Sequence, residues 1–197
     1  GLFWRWNKAR QVNQRVLRED ALKHLHRCQR YGRAASLESV AGALQISTDQ
    51  ASELIADLQL SGLLEVDGNT YSLTPEGQDY ALHVIRAHRL WERYLADETG
   101  FSSEAWHDQA DRAEHDLTRE ETAALAAALG NPTHDPHGDP IPTSTGEIPV
   151  ETGKTLTDLE IGTTAQITHI EDEPMSIYAK LVDKGFHLGM QIQIKSI

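Results

Sequence analysis

The chain has 197 residues, with 18 Lys+Arg against 30 Asp+Glu, ten His, one Cys and 39% apolar content, enough for one large domain or two small ones. No stretch approaches the ~18 consecutive apolar residues of a membrane span, none has the form of a signal peptide, and a lone Cys28 excludes an internal disulfide framework or a multi-cysteine zinc site. The net charge of −12 opposes non-specific nucleic-acid binding, which needs basic surface, while an acid-rich, His-rich, Cys-poor balance suits hard or borderline divalent cations.

Residues 1–18 hold Arg5, Lys8, Arg10, Arg15 and Arg18 and no acid. Leu2-Phe3-Trp4-Arg5-Trp6 followed by basic residues has the pattern of the cytoplasmic end of a membrane span. A helical arm whose two Trp pack on the body or on a partner chain would read the same way. Gly1 in place of an initiator Met suggests a fragment or a processed form. From Glu19 to about Gln29, the residues Ala21, Leu22, Leu25 and Cys28 keep helical spacing. Ser36 caps a short helix through Leu44, and Ser47 or Thr48 caps another, Asp49 to Leu60, closed by Ser61-Gly62. Leu63–Val66 and Thr70–Leu73 flank Asp67-Gly68-Asn69, a hairpin signal. Pro75 then opens a long helix to about Asp97. Three helices and a two-stranded wing predict a winged helix-turn-helix over 19–80.

Helices at Ser103–His115 and Arg119–Leu129 complete a helical domain over 81–130. Pro132, Pro136, Pro140, Pro142 and Pro149, with Gly138 and Gly146, make 131–153 read as a linker. Strands over Thr155–Leu159, Thr164–Ile170 and Met190–Ile197, with a helix over Met175–Lys184, give 154–197 the proportions of a small SH3-like β-barrel. The fold class is α+β.

Metal-ligand side chains concentrate in two places. His88 and Glu92 stand one turn apart on the long helix, and His107, Asp111, Glu114 and His115 form one stripe along the next. Such a face is costly to bury unpaired, and a divalent cation neutralises the carboxylates while neutral imidazoles complete its shell. Without an HExxH, a Ser/His/Asp arrangement or a phosphate loop, nothing indicates an enzyme. Trp91, Tyr94, Leu95 and Trp106 read as packing residues, Cys28 as an inert buried thiol, and His134 and His137 as turn residues or an adventitious metal site.

The segments His88–Leu95, Trp106–His115 and Pro136-His137-Gly138-Asp139-Pro140-Ile141-Pro142 resemble the diphtheria toxin repressor (DtxR) family, and the resemblance extends over residues 19–197. It implies a winged helix, a helical dimerisation and metal-binding domain, a C-terminal FeoA/SH3-like domain and a homodimer. It also implies one metal site from Asp20, Asp111, Glu114 and His115 and an ancillary one from His88, Glu92 and His107, with His169 and Asp172 as additional ligands. Asp111, where iron-responsive members often carry Cys, leaves donors of O and N only. That favours Mn²⁺ or Fe²⁺, with Zn²⁺ or Co²⁺ also accepted in vitro. Lys23 stands one turn after Asp20, where manganese-responsive members carry Glu, and an ammonium cannot ligate.

The helix that would enter DNA carries Asp49, Glu53 and Asp57 in one stripe and no Lys or Arg, and Glu65 and Asp67 lie on the wing. Gln50 and Ser52 remain as candidate base contacts, but each acid repels phosphate. Together with the basic, Trp-containing start, this resembles the DtxR-like region fused to metal ABC transporter permeases. The resulting expectation is a cytoplasmic regulatory domain at the inner-membrane face, partnered by the membrane-embedded permease portion of the same polypeptide. The alternative is a free metal-dependent repressor that binds operator DNA as a dimer.

Overall fold

The computed structural model of the chain describes residues 2–68, 70–150, 153–172 and 174–195, with residues 2–12 and Glu104 described by backbone alone. Gly1, the side chains of Trp4, Trp6 and the basic residues through Arg10, and Asn69 of the hairpin turn therefore lie outside the described residues. Two compact units emerge: residues 1–85 with 114–116, and residues 86–113 with 117–197.

The first unit contains α1 (Leu2–Arg30), α2 (Leu37–Leu44), α3 (Thr48–Leu60), β1 (Leu64–Asp67), β2 (Thr70–Leu73) and the first part of α4 (Pro75–Glu98). Capping decides where its short helices start. Ser36 accepts the Ser39 amide and Ser47 accepts the Gln50 amide, and each partner side chain reaches back to the cap's own N–H. Gln50 thereby commits its Oε1 to Ser47 at 3.0 Å. The β1–β2 ladder is antiparallel and pairs Leu64 with Leu73. Both of these leucines are buried with Leu22 and Leu25 of α1, Val40 of α2, and Ile55 and Leu58 of α3. Alternate residues of α3 that miss this core, including Gln50, Ser52, Glu53 and Asp57, are exposed.

α1 is far longer than the apolar spacing after Glu19 predicts. Its first half mixes Leu2, Phe3, Trp4 and Trp6 with Arg and Lys, a composition that fits a membrane-span end as well as a helical arm. Among the described residues, no helix is long and apolar enough to cross a membrane.

The second unit contains the rest of α4, α5 (Ser103–Ala113), α6 (Arg119–Ala128), β3 (Thr164–Gln166), α7 (Met175–Asp183) and β4 (Gln191–Gln193). Leu90 of α4, Ala126 of α6 and Ile141 form its buried apolar centre. The Pro-rich stretch expected to be a linker packs here instead. Ile141 donates its N–H to Thr133 O at 2.8 Å, and Arg86 and Arg89 of α4 donate to the carbonyls of Pro142 and Pro140. Two guanidinium groups thus satisfy carbonyls in a segment whose prolines cannot build a ladder.

Two C-terminal expectations are corrected. Residues 156–158 form a single 3₁₀ turn and not a strand. β3 and β4 pair over three residues each, so no closed barrel forms among the described residues. The stripe expected along one helix is also broken, because α5 ends at Ala113 and Glu114 and His115 lie in the turn that follows.

Gly77 lets α4 dock, since a Cβ there would sit 2.0 Å from Leu63 O, whereas one at Gly42 on α2 meets nothing within 4 Å. Gly77→Ala is expected to destabilise by ~1–3 kcal/mol, because the obstacle is backbone. Gly42→Ala should stabilise by ~0.5–1 kcal/mol through helix propensity. Urea midpoints of the two variants check the opposite signs.

Candidate metal centre

In the second unit, α4 points His88 and Glu92 to one side, one turn apart, and α5 brings His107. Two loops add His137 and Asp172. Glu92 is 1% exposed and lies at the meeting point. Its Oε1 is 3.2 Å from His88 Nε2 and 3.4 Å from His107 Nδ1, and its Oε2 is 3.6 Å from His137 Nδ1. Asp172 Oδ2 is 3.3 Å from His107 Nδ1 and 3.8 Å from His137 Nδ1. Adjacent ligands on bonds of ~2.0–2.3 Å around one ion lie ~3–3.7 Å apart, close to the 3.2–3.8 Å found here. The groups His88–Glu92–His107 and Glu92–His137–Asp172 each gather their donor atoms within 4.8 Å, and Glu92 belongs to both.

The side chains are held from behind. Asp111 Oδ1 faces His88 Nδ1 at 3.3 Å, a carboxylate orienting an imidazole whose other nitrogen points at Glu92. His137 sits in a turn built by buried Asp135, whose Oδ1 accepts the His137 and Asp139 amides at 2.8 and 2.9 Å. Gly138, at φ +94°, approaches so closely that a Cβ would lie 2.1 Å from Thr168 O. His137 O then accepts the Ile170 amide at 2.9 Å, which ties this turn to the loop that carries Asp172.

The electrostatics fit a cation. Burial alone would raise the Glu92 pKa, but His88, His107 and His137 outweigh it and hold the carboxylate well below its ordinary range. Burial opposes charge on His107 too, yet Asp172 and Glu92 raise it from 6.5 to about 9. Glu92 Oε1 and both ring nitrogens of His137 are buried without a hydrogen bond to the protein, although such atoms are almost always satisfied. An all-N/O donor set with buried, unsatisfied lone pairs fits a borderline divalent ion.

The first unit gathers Asp20, Glu114 and His115, whose donor atoms also lie within 4.8 Å. His115 Nε2 is 3.4 Å from Asp20 Oδ1 and 3.5 Å from Glu114 Oε1, while Nδ1 donates to Glu19 Oε2 at 2.6 Å. Tyr80 donates to the other Glu19 oxygen at 2.6 Å. Here the fit to a metal fails on one observation. Lys23 Nζ donates to both oxygens of Glu114, at 2.8 and 2.9 Å.

The seven residues singled out from sequence thus divide between the units. His88, Glu92, His107 and Asp111 gather in the second, and Asp20, Glu114 and His115 in the first. Of the two additional residues, Asp172 joins the Glu92 cluster. His169 instead contacts Asp139 Oδ2 at 3.3 Å and is not in a ligand group among the described residues. Sequence reasoning read His137 as a turn residue or an adventitious metal site and left it out of the ligand sets. Its signal lay in the same Pro136–Pro142 motif that carries the family resemblance, but flanking prolines made it read as a turn.

The family described as "Iron dependent repressor, metal binding and dimerisation domain" matches residues 74–143. The diphtheria toxin repressor of Corynebacterium glutamicum is 30% identical over 167 residues, 79% of this chain and 73% of the relative. The chain belongs to the diphtheria toxin repressor family. Among solved structures, a manganese-dependent transcriptional repressor in complex with manganese superposes with a TM-score of 0.83 at 30% identity, covering 91% of this chain and 83% of that one. A probable metal transport system membrane protein of Chlamydia trachomatis serovar D is 39% identical over 84 residues, 43% of this chain and 19% of the relative. Like the repressor family it belongs to, the chain has a helical domain and small sheets, in α+β combination.

The raised pKa of His107 fixes a sign. The protonated ring stabilises the metal-free fold fully below about pH 6.5, and this contribution is lost as pH rises through about 9. A metal competes with that proton. Mn²⁺ affinity should therefore climb from pH 6.5 to 9 and binding should release protons, as read by calorimetry in buffers of different ionisation enthalpy. A pH-independent affinity would contradict the assignment of His107.

Proposed function

We propose that the chain is a metal-dependent regulator in which a Mn²⁺ or Fe²⁺ ion is held by His88, Glu92, His107, His137 and Asp172, with Asp111 behind His88. The observation that carries this reading is Glu92, a buried carboxylate facing three imidazoles with one oxygen unsatisfied. When bound, the ion supplies charge neutralisation and fixed coordination in place of shared protons. The chain's own residues then act as a clasp. α4 gives two side chains, α5 one and the two loops one each, so coordination would restrain four segments. Zn²⁺ and Co²⁺ suit the same donors.

The family's role as repressors supports the next step, in which the chain forms a homodimer in the cytoplasm and binds operator DNA when metal is held. The winged helix-turn-helix order of the first unit supports it too, with Gln50 and Ser52 exposed on α3. No feature of the donor set calls for enzymatic chemistry.

A second reading rests on the charge of α3. Asp49, Glu53 and Asp57 are exposed on it and Lys or Arg is absent from it. Arg18, the nearby cation, lies 3.3 Å from Asp57 and 2.9 Å from Ser61. With the similarity to a metal transport membrane protein, this supports a regulatory domain of a metal permease, acting on the membrane-embedded portion and not on DNA.

A mobility-shift assay on sequences selected from a random duplex library separates the two. The first reading expects Mn²⁺-dependent, sequence-selective shifts, lost in Glu92→Gln. The lack of basic residues on α3 should make the salt dependence shallow, because few phosphates are neutralised. Metal uptake without any selected duplex favours the permease reading, and no metal uptake removes both.

A further inference from the structure

We infer that Lys23 serves as a built-in cation for the Asp20–Glu114–His115 group, so that this chain takes up one Mn²⁺-like ion, at Glu92, and not two. The count of one rests on the reading of the Glu92 centre given above, whereas the role of Lys23 stands on the first unit alone.

Lys23 lies three residues after Asp20, on the same face of α1. Its ammonium reaches both oxygens of Glu114, whose side chain is 0% exposed while that of Lys23 is 24% exposed. A buried carboxylate has to be matched by a cation, and here the cation is a side chain of the same protein. A divalent ion at this place would have to share Glu114 with a positive charge or displace it, losing two charge-assisted hydrogen bonds. The other donors are otherwise prepared. His115 is oriented by Glu19, which Tyr80 holds in turn, and its Nε2 faces Asp20 and Glu114.

The same contacts have a structural result. Arg15 donates to His115 O and lies 3.4 Å from Asp116. Together with the His115–Glu19 and Lys23–Glu114 pairs, this anchors residues 114–116 to α1, and α5 ends at Ala113. In this chain the anchoring needs no metal, which leaves Glu92 as the centre through which metal acts.

The test is Mn²⁺ stoichiometry and affinity on the full chain, by calorimetry and by electron paramagnetic resonance of free Mn²⁺. The wild type should bind one ion and Glu92→Gln none. Lys23→Met should bind two, and Lys23→Met with Glu92→Gln one, which His115→Ala then removes. Lys23→Arg, which keeps the charge, should behave as the wild type. If Lys23→Met unfolds without metal, Lys23→Gln retains a donor without the charge and should gain the same ion, at least a hundredfold more tightly than the wild type.

A wild-type chain that binds a His115-dependent ion within tenfold of the Lys23→Met affinity overturns the proposal. So do Lys23→Met and Lys23→Gln variants that fold and gain no ion. Failure of the Glu92 reading looks different, because Glu92→Gln would then leave wild-type uptake unchanged whatever happens at Lys23.

Discussion

One buried negative charge organises the second unit. Glu92 cannot stay ionised inside a protein without compensation, and the chain surrounds it with His88, His107 and His137. Much of the rest of that unit positions these rings. α4 carries His88 in register, Asp111 turns it, and the Asp135 turn with Gly138 sets the backbone of His137. Imidazoles can meet Glu92 as protonated partners or as neutral co-ligands of a cation. On the proposed reading, protons or a metal would compensate the same carboxylate.

The first unit solves a similar problem in another way. Glu114 is as deeply buried as Glu92, but its compensating charge is the side chain of Lys23, which no change in solution composition removes at ordinary pH. A charge held covalently makes a permanent contact, while one taken from solution makes a conditional contact. Placing one of each in a single chain divides structure from response. The segment 114–116 is tied to α1 by ion pairs of its own, and the loops bearing His137 and Asp172 meet at Glu92.

Much of the first unit was legible in the sequence because its signals are local. Ser36 and Ser47 cap, Leu22 and Leu25 keep helical period, and the Asp-Gly turn sits between two short apolar runs. His88 and Glu92, one turn apart on α4, likewise converge as their spacing implies. What was not legible depends on contacts distant in sequence. His137 is buried because Arg86 and Arg89 hold a Pro-rich segment that by composition alone reads as a linker. Glu114 lies in the turn after α5 and pairs with Lys23, 91 residues away. His169 and Asp172 lie three residues apart in one loop, and only the second turns towards Glu92. The C-terminal strands are shorter than their apolar patterns suggest, and pattern alone cannot say where pairing stops.

A fold and its output are separate matters. The helices and hairpin of the first unit are built by capping and by a core of Leu22, Leu25, Val40, Ile55 and Leu58, all buried. Its outward face is free to change without disturbing that core, and on α3 it carries acids. Affinity of a recognition helix for DNA begins with neutralised phosphates, before any base is read. Exposed Asp49, Glu53 and Asp57 act against that first term, and Arg18 is turned towards Asp57 and Ser61. Base contacts from Gln50 and Ser52 would have to supply what the backbone contacts do not, and Gln50 already gives its carbonyl oxygen to the helix cap. The Glu92 cluster and the exposed face of α3 therefore carry different constraints. The first is strict, since a buried charge must be matched, and the second is looser, since Asp49, Glu53 and Asp57 are exposed and lie outside the core. A family can keep its core while its output face diverges because only the core is bound by the energetics of burial.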